Sequence, residues 1–204
     1  MRMKLHWSPR SPFVRKVMIV AHERGLADRL DLVRTVAATT KPHEILMRDN
    51  PLSKLPTLVL ADGAVIYDSP VIAEYFDSLH GPKLFPSTMR ERLTALRWQA
   101  LGDGMLDFLL LWRNELSRPA QSEPHLTTYR IKRTKCLESL EAEAETLAGS
   151  PFSIGHIAVG CALSYLDFRF PEDDWREPHP KLAAWHAGIA GRSSFKLTEA
   201  VDDS

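Results

Sequence analysis

The residues around Ser11 have the types and spacing to stabilise a bound anion. Ser11 stands before Pro12, and residues 13–25 carry apolar side chains at helical spacing. A serine followed by proline is typical of a helix N-cap. The free N–H groups and positive end of a helix also favour an anion, including a thiolate, and a serine hydroxyl can donate a hydrogen bond to a ligand's sulfur. Ser11 is therefore either a structural cap or a thiol-activating group, and the residue types alone allow both.

A second motif, over residues 50–57, ends in Leu55-Pro56-Thr57 just before a predicted strand. Proline is unusual there because it removes a hydrogen bond of the strand ladder. If the bond before Pro56 is cis, the N–H and C=O of Leu55 face outward and can pair with a peptide-like ligand as an added strand. The alternative is an ordinary trans proline at a sheet edge, which is the commoner isomer.

A third motif, Asp68-Ser69, opens another predicted helix. Ser69 can act as a helix cap, or its hydroxyl and N–H can hold a ligand carboxylate. In the second case, Asp68 can help to hold a nearby ammonium group. The three motifs together offer donors and acceptors for a charged, extended ligand that contains sulfur.

The elements that must position these motifs change character near residue 80. The first part shows short strand and helix patterns in the order β-α-β-α-β-β-α. Two prolines and a glycine then predict a linker, and only helical patterns follow, one of which contains Gly102 and Gly104 as possible bend points. We predict an α/β domain over residues 1–80, a linker over 81–87 and an all-α bundle domain over 88–204.

Composition excludes several classes of partner. Lys and Arg total 26 and Asp and Glu total 26, so no net charge favours nucleic acid or an acidic membrane. No apolar run reaches the roughly 18 residues of a membrane span, and the first residues show no signal peptide, which predicts a cytoplasmic protein. The two cysteines and eight histidines have no ligand spacing, which predicts no metal site.

In their order along the chain, Ser11-Pro12-Phe13, Lys54-Leu55-Pro56-Thr57 and Asp68-Ser69 resemble the motifs of cytosolic glutathione transferases, in a bacterial form with serine at the first motif. The resemblance implies a thioredoxin-like N-terminal domain, an α-helical C-terminal domain, a homodimer, and glutathione as co-substrate without a metal. It implies that Ser11 is catalytic, activating the thiol as thiolate. The implied glutathione-binding residues are Phe13, Lys41, Lys54, Leu55, Pro56, Asp68 and Ser69, with either lysine as the candidate for the glycine carboxylate.

The resemblance also implies a pocket for a small electrophile between the two domains. The candidate residues for that pocket are Arg10, Met105, Leu109, Trp112 and Arg113. The apolar members recur at helical spacing and are equally typical of a helix core. An arginine beside a tryptophan favours an anionic or aromatic substrate.

Two departures from the family pattern bear on activity and stability. No cysteine stands at position 11, so thiol transfer through a mixed disulfide is not expected. His156 replaces the usual aspartate of the capping box that begins at Ser153. The alternatives to conjugation are a glutathione-dependent isomerase or peroxidase and a non-catalytic glutathione-transferase-like protein for ligand binding or protein interaction.

Overall fold

A mixed four-stranded sheet and three helices form most of the first of two units in the computed structural model, which describes residues 2–38, 40–79, 81 and 83–203. The strand order is β2-β1-β3-β4, with β1 and β2 parallel and the other two neighbouring pairs antiparallel. The elements in chain order are β1 (Met3–Trp7), α1 (Pro12–Glu23), β2 (Leu30–Arg34), α2 (Glu44–Asp49), β3 (Thr57–Val59), β4 (Val65–Ile66) and α3 (Ser69–Leu79). This arrangement confirms the predicted thioredoxin-like order of elements.

The core of this unit comes from alternating strand residues and one face of each long helix. Leu5 and Leu58, which are opposite each other on β1 and β3, are fully buried. On α1, Val14 and Val17 belong to the apolar stripe that the helical spacing predicts, and both are buried. Helix α1 packs against α3, whose Phe76 is also fully buried.

Four helices form the second unit, residues 87–192. They are α4 (Met89–Leu116), α5 (Glu123–Gly149), α6 (Ile154–Arg169) and α7 (Pro180–Ala190). Helix α6 is buried on nearly all sides, as its almost unbroken apolar sequence predicts. Among the residues that the structure describes, no helix combines the length and the apolar character needed to cross a bilayer.

The C-terminal segment belongs with the first unit in the structure, whereas the sequence pattern predicts it as part of the domain over residues 88–204. It contains the short helix α8 (Ser193–Lys196). Phe195 is 1% exposed, and the Arg15 guanidinium lies 5.6 Å from its ring centroid. The buried ring and this cation–π contact hold the C-terminal segment against α1. The predicted limits of the two domains, at residues 1–80 and 88–204, stay a prediction.

Candidate glutathione site

Three motifs converge at one edge of the sheet because of the strand register. Strand β1 ends at Trp7, and its neighbour His6 lies opposite Thr57, the first residue of β3. Strand β4 runs antiparallel to β3 and ends at Ile66, so its end lies at the same edge. The turn that leads to Ser11, the proline turn before β3 and the aspartate–serine pair at the start of α3 all extend from this edge.

Ser11 is the N-cap of α1. Its backbone is extended, and its Oγ accepts a hydrogen bond from the backbone N–H of Val14 at 3.3 Å. The Ser11 side chain is half-buried. A hydroxyl that accepts one hydrogen bond still carries a proton to donate. The capping role and the thiol-activating role are therefore compatible at this one side chain.

The proline turn is held by Asn50, which is 1% exposed. Its side-chain amide donates to the Thr57 hydroxyl at 2.9 Å and to the Lys54 carbonyl at 3.3 Å, and its Oδ1 accepts from the Leu52 N–H at 3.0 Å. The Thr57 hydroxyl donates to the same Lys54 carbonyl at 2.9 Å. These bonds fix the loop from residue 50 to residue 57 around one buried amide.

The bond between Leu55 and Pro56 is cis. Pro56 is buried and Leu55 is half-buried. Within the part of the chain that the structure describes, the N–H and C=O of Leu55 make no hydrogen bond. This is the backbone arrangement that an added peptide strand requires.

Ser69 begins α3 and is 1% exposed. The carbonyl of the exposed Asp68 accepts from the Ile72 N–H at 3.0 Å, which starts the helix. The start of α3 therefore presents a serine hydroxyl and N–H groups at the same edge as Ser11.

The remaining predicted ligand contacts are less constrained. Lys41 and Lys54 are exposed, and neither forms an ion pair with another described residue. Phe13 is half-buried on α1, with the Lys16 ammonium 5.9 Å from its ring centroid. No contact within the described residues fixes either lysine side chain.

The predicted second-substrate residues fall into different environments. Met105 and Leu109 are 1% and 0% exposed, so they offer no surface to a ligand in this structure. Trp112 is also buried, with its ring 4.8 Å from that of Phe170 and 6.4 Å from that of Tyr129. Arg113 is exposed on α4, and Arg10 belongs to the other unit.

Asp49 anchors α2 to the sheet just before the proline turn. Lys4 and His6 on β1 lie 2.6 Å and 2.7 Å from its Oδ2. The hydrogen bond from Lys4, followed by that from His6, holds the pKa of the Asp49 carboxyl below its usual value. The carboxylate therefore stays charged at neutral pH and positions the end of α2.

Arg10 belongs to a cluster of ion pairs that no sequence motif indicates. The Arg10 Nε lies 2.9 Å from Oδ1 of Asp203, and Arg34 binds the other oxygen of the same carboxylate. The hydrogen bond from Arg34 is the main reason that the pKa of Asp203 is lowered. No sequence pattern links residues so far apart, so no local signal indicates this cluster.

The described residues contain no group of histidine, cysteine and acidic side chains that could hold a metal ion. Cys161 is buried, and burial raises the pKa of the Cys136 thiol. A raised thiol pKa disfavours the reactive thiolate. Neither cysteine has the environment of a redox centre.

The fold and the site together define a class of protein. Residues 10–79 match the family model of the glutathione S-transferase N-terminal domain, and residues 123–188 match that of the C-terminal domain. The chain belongs to the glutathione transferase family. It is 34% identical over 202 residues to the "Uncharacterized GST-like protein YibF" of Escherichia coli strain K12, with 97% of this chain and 98% of the relative covered.

Two solved structures that are similar to this chain contain glutathione or a glutathione derivative. A glutathione transferase family member from Pseudomonas fluorescens Pf-5 with bound glutathione is 42% identical, with a TM-score of 0.93 and 98% and 99% of the two chains covered. A structure from the same organism with bound S-(propanoic acid)-glutathione is 40% identical, with a TM-score of 0.89 and 98% and 100% covered.

Proposed function

We propose that this protein is a glutathione transferase that activates glutathione through Ser11 and transfers its sulfur to a small electrophile. The observation that carries the proposal is the convergence of Ser11, the cis turn at Leu55 and Ser69 on one sheet edge. The bound ligands of the Pseudomonas fluorescens structures support it, since one is glutathione and the other is a glutathione thioether.

The proposal assigns a binding group to each part of glutathione. The unpaired N–H and C=O of Leu55 pair with the peptide backbone of the ligand. Ser69 and the start of α3 bind the γ-glutamyl carboxylate, and Asp68 attracts the ammonium group beside it. Lys41 or Lys54 is the candidate for the glycine carboxylate.

The chemistry requires the thiol to lose its proton before it attacks. The Ser11 hydroxyl donates a hydrogen bond to the thiolate, and the N-terminal end of α1 adds a favourable field. The thiol proton passes to solvent, and the thiolate then forms a carbon–sulfur bond with the electrophile as its leaving group departs. Lowering the thiol pKa by one unit corresponds to about 1.4 kcal/mol of differential stabilisation.

Ser11→Ala tests this role. We expect the dissociation constant for glutathione to change by no more than about fivefold, while turnover at neutral pH falls by about tenfold for each unit by which the hydroxyl lowers the thiol pKa. The pKa of bound glutathione, followed by the ultraviolet absorbance of its thiolate, should rise in the variant.

Thr88→Ala is the matched control, because it removes the N-cap of α4. It should cost stability in the same way without changing the thiol pKa. An unchanged thiol pKa and turnover in Ser11→Ala would contradict the role of Ser11. If calorimetric titration of the unaltered protein with glutathione shows no heat of binding, the proposal is wrong. The protein would then be a non-catalytic member of the family.

A further inference from the structure

Two arginines bind the two oxygens of one carboxylate near the C-terminus. The Arg10 Nε lies 2.9 Å from Oδ1 of Asp203, and Nε and Nη2 of Arg34 both lie 2.6 Å from Oδ2. Arg34 is itself oriented by a hydrogen bond from Nη1 to the Thr35 carbonyl at 2.9 Å. Arginine N–H groups at both oxygens are the arrangement by which proteins recognise carboxylates.

This arginine pair lies at the same edge of the sheet as the three motifs of the candidate site. Arg10 immediately precedes Ser11, and Arg34 ends β2 opposite Trp7, the last residue of β1. Open sheets with parallel strands bind ligands outside the carboxyl ends of those strands. The pair therefore stands beside the group to which we assign activation of the thiol.

The contact between the tail and the arginines is partly open to solvent. The side chains of Arg10, Arg34 and Asp203 are 23%, 33% and 32% exposed, so a ligand that approaches from solvent can reach both arginines. Asp202 adds a longer contact to Arg10, at 3.8 Å. Residues 201–203 have no regular secondary structure that would hold the tail in place. A ligand with its own carboxylate can therefore compete with Asp203 for the two arginines.

We propose that Arg10 and Arg34 form a subsite for the carboxylate of an acidic electrophile, and that Asp203 fills this subsite when the substrate is absent. The inference rests on the proposed function, because it names the class of electrophile that the same site accepts. The tail then acts as an internal competitor of the acidic substrate. A neutral electrophile has no group to exchange for Asp203 and gains nothing from the arginines.

The test is a calorimetric comparison of three ligands on the full chain. The ligands are glutathione, S-(2-carboxyethyl)glutathione and its neutral amide analogue, S-(3-amino-3-oxopropyl)glutathione. The double variant Asp202→Asn/Asp203→Asn should bind the carboxylate ligand about three- to fivefold more tightly than the unaltered protein, as expected for removal of a competitor that fills most of the subsites. Its affinities for glutathione and for the amide should stay the same.

Two further variants separate the subsite from general electrostatics. Arg34→Gln should remove the preference for the carboxylate over the amide without weakening glutathione binding. Asp28→Asn/Asp62→Asn removes two negative charges from the same unit, where neither side chain contacts an arginine in the described residues. This control should bind all three ligands like the unaltered protein.

The outcomes that overturn the inference are distinct from those that overturn the proposed function. Normal glutathione binding with equal affinity for carboxylate and amide in every variant would remove the subsite and leave the transferase. An equal gain for all three ligands in the tail variant would mean that the tail covers the glutathione site. If the control variant gains as much affinity for the carboxylate ligand as the tail variant, the effect is due to net charge and the subsite is ruled out. Failure of glutathione itself to bind would overturn the proposed function and this inference with it.

Discussion

At the scale of single residues, His156 makes the start of α6 sensitive to pH. Its Nδ1 accepts from the backbone N–H of Ser153 at 3.2 Å, and its Nε2 donates to the Leu147 carbonyl at 3.0 Å. This pattern requires the neutral imidazole, because a protonated ring has no acceptor. His156 is 2% exposed, and burial, supported by the charge of Arg192, lowers its pKa.

A lowered pKa in the folded state fixes the sign of the pH dependence. The unfolded chain takes up a proton near pH 6.5, about the ordinary pKa of histidine, before the folded protein does. The contribution of His156 is therefore complete above this pH and decreases as the pH falls towards the lowered value. We expect the free energy of unfolding, measured in urea, to decrease from pH 7.5 to pH 5.

His156→Gln isolates this contribution from those of the other histidines. Glutamine can accept the Ser153 N–H bond and cannot titrate, so the variant should lose about 1 kcal/mol at pH 7.5 and show a shallower decrease in acid. Parallel stability–pH profiles for the variant and the unaltered protein would contradict the assignment.

The sequence indicates those site residues whose role depends on neighbouring residues in the chain, such as helix caps and proline turns. Ser11 before Pro12 predicts the cap that the structure shows, and Pro56 before a strand indicates the turn. Asp203 has no such signal, because its partners Arg10 and Arg34 are distant in the chain and the contact forms only after folding. Long-range ion pairs depend on geometry that residue spacing does not encode.

At the scale of elements, two glycines allow α4 and α6 to approach closely. A Cβ at Gly102 would lie 2.5 Å from the carbonyl carbon of Ala158, and one at Gly155 would lie 2.6 Å from the Ala95 carbonyl oxygen. Helix α4 is a single helix from Met89 to Leu116. Gly102 therefore allows close packing, and the bend that the sequence suggests at Gly102 and Gly104 stays a prediction.

Substitution of the two glycines of α4 separates packing from helix propensity. Gly102→Ala forces backbone atoms apart and should destabilise the protein by about 1–3 kcal/mol. A Cβ at Gly104 would meet no described atom within 4 Å, so Gly104→Ala should stabilise the protein by up to about 1 kcal/mol. Urea unfolding midpoints measure both, and equal effects of the two substitutions would contradict the packing role.

The start of α7 shows that the sequence can indicate where a helix begins without indicating which distant residue caps it. Pro180 indicates the first turn, yet the N–H groups of Lys181 and Leu182 are capped by the Glu141 carboxylate from α5, at 3.2 Å and 2.7 Å.

Helical spacing cannot distinguish residues that face a helix core from residues that line a ligand pocket. Met105 and Leu109 have the same pattern in either case, and the structure buries both.

At the scale of the whole molecule, the sequence indicates the two classes of element and their order, because hydrophobic period and turn residues are local. It does not indicate that the last residues return to the first unit. That return depends on a contact between α1 and Phe195, in which Arg15 Nη2 also donates to the Phe195 carbonyl at 3.3 Å. The sequence of a short apolar segment does not indicate which surface the segment packs against.

Phe195 is therefore expected to stabilise the first unit from the far end of the chain. Phe195→Ala removes a buried ring that is 1% exposed and should lower the free energy of unfolding by about 3–5 kcal/mol. Leu197→Ala is the matched control, because Leu197 is 67% exposed and its loss should change stability by no more than about 0.5 kcal/mol. Hydrogen exchange should show faster exchange of the α1 amides in the Phe195 variant alone. Unchanged α1 exchange in that variant would mean that the C-terminal segment covers α1 without supporting it.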